Sequence, residues 1–208
     1  MYHNIGDKSG FNTILFDNFK KQIEFVKSKY SILSLSEYVK SLKKHGYNSN
    51  KIITITFDDA YKSYLNKVIP FLQKEEISST VFVPVSHVGK FNIWDDGREK
   101  IELMTWEELK GISRNPFVEI GSHGMSHSKI SKLSNNAIFR EIKDSKDILE
   151  ENLFVKINHF NFPYGQLNDL NPFSIKVLGE LDYISACSAR YNNRNSLKEY
   201  FLVKQNRS

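Results

Sequence analysis

The sequence predicts an α/β fold with a parallel sheet, and three observations predict it. Strand-like and helix-like segments alternate along the chain. The strand-like runs are rich in apolar and β-branched residues, as strands buried on both faces are. Four chemically distinctive segments, Tyr2-His3, Asp58-Asp59, His123/His127 and Phe162-Pro163-Tyr164-Gly165, fall at the expected carboxyl ends of strands. Parallel α/β folds gather their chemistry at those ends.

The elements follow in order. Phe16, Phe19, Ile23, Val26 and Tyr30 recur at three- and four-residue steps and give one apolar helical stripe. Ser34-Leu35-Ser36-Glu37 is a capping-box pattern, and Gly46 is the expected stop of the helix it opens. Residues 52–57, Ile-Ile-Thr-Ile-Thr-Phe, read as one buried strand. Residues 61–75 read as a helix that Pro70 kinks or splits. Residues 79–83 form a second strand, and 86–103 a long loop containing Trp94-Asp95-Asp96-Gly97. Thr105-Trp106-Glu107-Glu108 is another capping box. Residues 117–120 read as strand, 135–152 as a long helix and 159–162 as strand. Asn171-Pro172 caps a helix reaching about Leu181, and residues 183–188 make the last strand. No repeat or linker divides the chain, so residues 1–208 are expected to form one domain.

Composition excludes several classes. With 40% hydrophobic and 13% aromatic residues, the chain can build a core and is not globally disordered. The net charge of +5 is spread out; its densest cluster, Lys40, Lys43, Lys44 and His45, reads as a solvated helix end. No nucleic-acid motif is present, so a nucleic-acid partner is not expected. Membrane contact is expected only through a glycolipid substrate. No run approaches the ~18 apolar residues of a membrane span, and no signal peptide is visible. The chain as it stands reads as cytoplasmic, or as extracytoplasmic if its start is clipped. Cys187 is the only cysteine and reads as a buried structural thiol.

Two motifs carry the chemistry. Asp58 and Asp59 lie in Thr56-Phe57-Asp58-Asp59-Ala60, just after a strand. At a strand end, where the chain turns, both carboxylates can reach one cavity; one could bind metal and the other take a proton from water. The competing reading is a helix cap for the segment from Tyr61. His123 and His127 lie in Gly121-Ser122-His123-Gly124-Met125-Ser126-His127. On a helix their spacing puts both imidazoles on one face, and Gly121 and Gly124 permit a tight turn after a strand. One carboxylate with two imidazoles is a common way to hold a catalytic divalent metal with positions left open. Phe162-Pro163-Tyr164-Gly165 reads by itself as a turn that could aim a backbone N–H at an oxyanion. His3 is a candidate proton donor, while His45, His87 and His159 read as surface or structural. Tyr2, Tyr61, Trp94, Trp106 and Tyr164 could offer faces to sugar rings, or simply pack.

Together, Thr56-Phe57-Asp58-Asp59-Ala60, Ser122-His123-x-x-x-His127 and Phe162-Pro163-Tyr164-Gly165 resemble the first three motifs of the polysaccharide deacetylase (NodB-like) family, in the family's order. The resemblance implies a distorted (β/α) barrel of about seven parallel strands. It implies metal-dependent removal of N-acetyl or O-acetyl groups from a polysaccharide, oligosaccharide or glycolipid by metal-activated water. Asp58 would be the base, and Asp59, His123 and His127 the ligands of a divalent ion, zinc first, with cobalt and nickel as alternatives. The Tyr164 N–H would face the oxyanion, and Pro163, Tyr164 and Trp94 would meet the sugar.

Met1-Tyr2-His3-Asn4-Ile5 is similar to the N-terminal Tyr-His segment of the poly-N-acetylglucosamine deacetylase branch, which makes His3 the expected acid. Three departures stand out: Asn161 where an arginine often orients the base, Ala60 where glycine is commoner, and no histidine after His159 to complete the usual late motif. A non-catalytic glycan-binding member, or a hydrolase of non-sugar amides on the same fold, are the competing expectations.

Overall fold

A computed structural model describes residues 1–45, 51–95, 98–165 and 171–188. The expected stop at Gly46 and the Asp96-Gly97 pair lie outside them. The chain opens with β1 (Asn4–Gly6), β2 (Thr13–Leu15), α1 (Phe16–Lys29), β3 (Ser31–Ile32), α2 (Leu35–His45), β4 (Ile52–Ile53) and β5 (Thr56–Phe57). It continues through α3 (Ile69–Lys74), β6 (Ser79–Val83), α4 (Trp106–Ile112), β7 (Val118–Ser122), α5 (Asn135–Leu153), β8 (His159–Asn161), α6 (Pro172–Glu180) and β9 (Ser185–Cys187).

The central sheet is parallel throughout, in the order β5-β6-β7-β8-β9. Two small parallel pairs, β1–β2 and β3–β4, stand apart from it. This is an α/β half-barrel; among the described residues the ladder does not close into the expected ring of about seven strands. All five residues of β6 are buried. Val81 and Val83 join the main core with Phe57, Phe160, Ile142 and Leu149, and Phe82 joins a second cluster under α2 with Leu35, Val39 and Leu42. Burial on both faces explains why this strand is apolar along its whole length.

Both capping boxes form. Ser34 Oγ accepts the Glu37 N–H while Glu37 Oε2 accepts the Ser34 N–H, and Thr105 and Glu108 do the same at α4. Asn171 Oδ1 accepts the Ser174 N–H and caps α6.

Three expectations need correction. Residues 52–57 are not one strand: β4 pairs with β3, whereas β5 pairs with β6. Two different partners pull the run apart at Thr54-Ile55. The apolar stripe of α1 buries Phe19 and Ile23, but Tyr30 lies past the helix end and is exposed. The helix after Tyr61 is widened into a π-helical turn over Tyr64–Val68, where the Ile69 N–H reaches back five residues to Tyr64 O. Pro70 follows at once; it has no N–H to donate and would clash with a carbonyl four residues back, so the wider turn accommodates it.

Candidate active site

The carboxyl ends of β5, β7 and β8 converge on one cleft of about 210 Å³. At the end of β5, Asp59 and Ala60 adopt φ of +71° and +57°. This left-handed turn lets Asp58 and Asp59 face the same cleft instead of opposite faces of a strand. Such a φ costs an alanine roughly 1–2 kcal/mol that glycine escapes.

His123 and His127 reach the cleft from a loop, not from a helix. Gly124 has φ +78° and His127 φ +56°, so the chain doubles back within four residues. Glu141 on α5 fixes this loop: its Oε2 accepts the Met125 and Ser126 N–H groups, each at 2.9 Å. Gly121 is not a turn residue. It lies in β7, where an added Cβ would come within 2.5 Å of the Phe82 ring.

The ligand-type atoms of Asp59, His123 and His127 all lie within 4.8 Å of one another, and all three residues are buried. Asp59 Oδ1 is 3.1 Å from His127 Nε2 and 3.5 Å from His123 Nε2. His123 Nδ1 lies 2.9 Å from Asn161 O. A carbonyl can only accept, so Nδ1 carries the proton and Nε2 turns its lone pair to the cluster. Asp59 Oδ1, buried, has no hydrogen-bond partner in the protein. A buried acceptor facing two imidazole nitrogens, in a mixed O/N donor set, fits a divalent metal ion.

Burial and the neighbouring Asp59 carboxylate push Asp58 up to about 8, against the pull of its hydrogen bond from Asn161. Burial would raise Asp59 as well, but the His127 contact and the charges of His123 and His127 hold it below its ordinary value. Burial, then the nearby His127, lowers His123 to about 3, so its ring stays neutral and able to ligate. The two adjacent carboxylates are therefore pushed in opposite directions, the usual mark of divided roles.

Asn161 Nδ2 donates to Asp58 Oδ1 at 2.7 Å. It thus orients this carboxylate from the position where the family often has arginine. The N-terminal segment runs parallel to β5: the Tyr2 N–H donates to Thr56 O at 2.8 Å, and Tyr2 O accepts the Asp58 N–H at 2.9 Å. His3 consequently lies over Asp58, with Nε2 3.9 Å from Oδ2.

The other expected residues divide. Tyr164 lines the cleft and sets its ring edge-on to His127 at 5.1 Å. Trp94 also lines the cleft, stacked on His127 at 4.0 Å. Pro163 is buried beside Gly124 and is not among the residues lining the cleft. Tyr2, which packs on Phe19 and Phe57, and Trp106, which packs against the core, are half-buried, Tyr61 is almost wholly buried, and none of the three lines the cleft. His159 is structural, as expected; Glu141 is a positioning group that no sequence motif marks.

The polysaccharide deacetylase family profile matches residues 45–183, and the chain belongs to this family. Its relatives include the poly-β-1,6-N-acetyl-D-glucosamine N-deacetylase of Escherichia coli K12, 23% identical over 133 residues, which are 59% of this chain and 20% of that protein. The Bacillus subtilis putative polysaccharide deacetylase YxkH is 22% identical over 170 residues, 81% of this chain and 57% of that protein. The chain thus spans a fifth to somewhat over half of these relatives. Among solved structures, IcaB from Ammonifex degensii superposes with a TM-score of 0.77 at 20% identity, covering 91% of this chain and 82% of that one. The relatives thus include poly-N-acetylglucosamine deacetylases. Among the described residues no helix is long and apolar enough to cross a membrane.

Proposed function

We propose that the chain is a metal-dependent hydrolase that removes N-acetyl groups from an acetylated carbohydrate, with poly-N-acetylglucosamine as the first substrate to try. The observation that carries this reading is one cleft holding the Asp59–His123–His127 cluster beside a second carboxylate, Asp58, that Asn161 holds by hydrogen bond. Residues 1–208 are read as one catalytic unit.

Asp59, His123 and His127 would hold the divalent ion, zinc first by donor type, with cobalt and nickel as alternatives. When bound, the ion supplies Lewis-acid activation of water and of the acetyl carbonyl. Asp58 accepts the proton of the attacking water, and Asn161 keeps its carboxylate aimed. The Tyr164 N–H serves the developing oxyanion. His3, beside Asp58 in the cleft, gives a proton to the sugar nitrogen as the C–N bond breaks, leaving acetate and a free amine. Trp94 and Tyr164 at the rim would receive the sugar ring.

The test is acetate release from N-acetylglucosamine oligomers, a lipid-linked acetylated sugar and simple non-sugar amides, each with metal-loaded wild type and Asp58→Asn. The expected result is acetate from a sugar with wild type only, metal being retained in the variant. Glycan binding without acetate release, despite bound metal, would replace the enzyme by a glycan-binding protein. Turnover of the non-sugar amides alone would replace the substrate class.

A further inference from the structure

The two imidazoles of the cluster are held in different ways. His123 is fixed by the hydrogen bond of its Nδ1 to Asn161 O. His127 Nδ1 is buried and has no hydrogen-bond partner in the protein. A ligating histidine ordinarily donates its second N–H to a carboxylate, a carbonyl or a water, and that contact sets the ring's orientation. His127 has aromatic rings around it instead. Trp94 lies nearly parallel to it, 4.0 Å away at 21°, while Tyr164 and His123 stand edge-on at 5.1 and 5.0 Å.

Trp94 is itself firmly seated. The buried side chain of Asn92 closes its loop: Oδ1 accepts the Ile101 N–H at 2.6 Å and Nδ2 donates to Asp95 Oδ2 at 2.8 Å. The His87 ring sets its edge against the indole at 5.1 Å and lies 3.3 Å from Ser126 O through Nε2, which ties the stack to the His127 loop.

We infer that Trp94 is a positioning residue for the metal ligand His127, replacing by stacking the hydrogen bond that His127 lacks. Its indole face limits rotation of the imidazole about its side-chain bonds. The same face is electron-rich and favours the positive charge an imidazole gains on ligation. Since one face of Trp94 is covered by His127, any contact with sugar is left to its edge or opposite face. This inference rests on the proposed metal-binding role of the cluster.

The experiment is a titration of chelator-stripped full chain with cobalt(II), then zinc by competition against a chromophoric chelator. It is run on wild type, Trp94→Phe, Trp94→Ala and His87→Ala, with circular dichroism to show that each is folded. Outer-shell changes around metal histidines commonly weaken binding 10- to 100-fold. We expect a loss in that range for Trp94→Ala, a loss of only a few-fold for Trp94→Phe, and an altered visible cobalt spectrum in Trp94→Ala. A merely structural role would leave the cobalt spectrum alone. Affinity and spectrum of folded Trp94→Ala matching wild type would overturn the positioning role while leaving the metal site standing. Failure of wild type to take up either metal would overturn both. If Trp94→Ala does not fold, Trp94→Leu, which removes the ring and keeps apolar bulk, decides: affinity and cobalt spectrum matching wild type overturn the inference.

Discussion

The two ends of the same strands hold similar residues in opposite conditions. At the carboxyl ends lie Asp59, His123 and His127. At the amino ends lie Glu119, His159, Ser185 and, from α2, Ser36. Both ends bury a histidine beside a carboxylate, and in both burial lowers the histidine, His123 to about 3 and His159 to about 4. A search for perturbed groups alone would mark both. They differ in satisfaction. His159 uses both ring nitrogens, Nδ1 with Ser185 Oγ at 2.7 Å and Nε2 with Ser36 Oγ at 2.9 Å. Glu119 accepts from the Ser36 N–H and from Thr80 Oγ1. At the other end, Asp59 Oδ1 and His127 Nδ1 have no protein partner. A closed network binds the fold together, whereas a buried carboxylate oxygen with no hydrogen bond, facing two imidazole nitrogens, suits a cation.

Variants at the two ends should therefore fail in opposite ways. Asp58→Asn should lower turnover by roughly 10²- to 10⁴-fold, the usual range for a lost general base, with metal content and melting temperature near wild type. Steady-state acetate release beside a thermal melt checks this; a variant that unfolds early instead would make Asp58 a structural residue. His159→Ala should do the reverse. Removing the shared partner of two serines should cost about 2–4 kcal/mol of stability while metal affinity holds. Denaturant unfolding read together with metal titration decides it.

The amino-terminal network also sets a pH dependence. His159 falls from 6.5 to about 4 in the folded chain. Between these values the unfolded chain takes up a proton that the folded one refuses, so stability drops as pH falls through this window and is fully kept above about 6.5. Chemical denaturation of metal-loaded protein at pH 7 and pH 5 should show a larger drop for wild type than for His159→Gln; equal drops would remove His159 as the cause. Ser185→Ala should have the smallest effect, about 1 kcal/mol for one hydrogen bond, with metal affinity unmoved. A tenfold change in metal affinity there would mean that the two ends are coupled.

Local chemistry made much of this legible in the sequence. Ser34, Thr105 and Asn171 announced their helices because a cap needs only residues a few positions away. The Asp58-Asp59 and His123/His127 motifs were legible because carboxylates and imidazoles are the side chains that a divalent-ion site with a nearby base would need. What stayed hidden depends on distant partners. The division of residues 52–57 is decided by β3 and β6. The clamp on the His127 loop comes from Glu141, fourteen or more positions away on another element, with no motif to mark it. The burial of Pro163 and Tyr61 follows from packing that no local pattern encodes. Asn161 was visible as a departure from the family pattern, but its bond to Asp58 was visible only in three dimensions.

The most direct test of the central claim is the metal content of wild type and His127→Ala, purified without chelator and measured by elemental analysis. About one divalent ion per chain is expected in wild type, with its loss in the variant. Absence of metal from wild type after incubation with zinc, cobalt and nickel would contradict it.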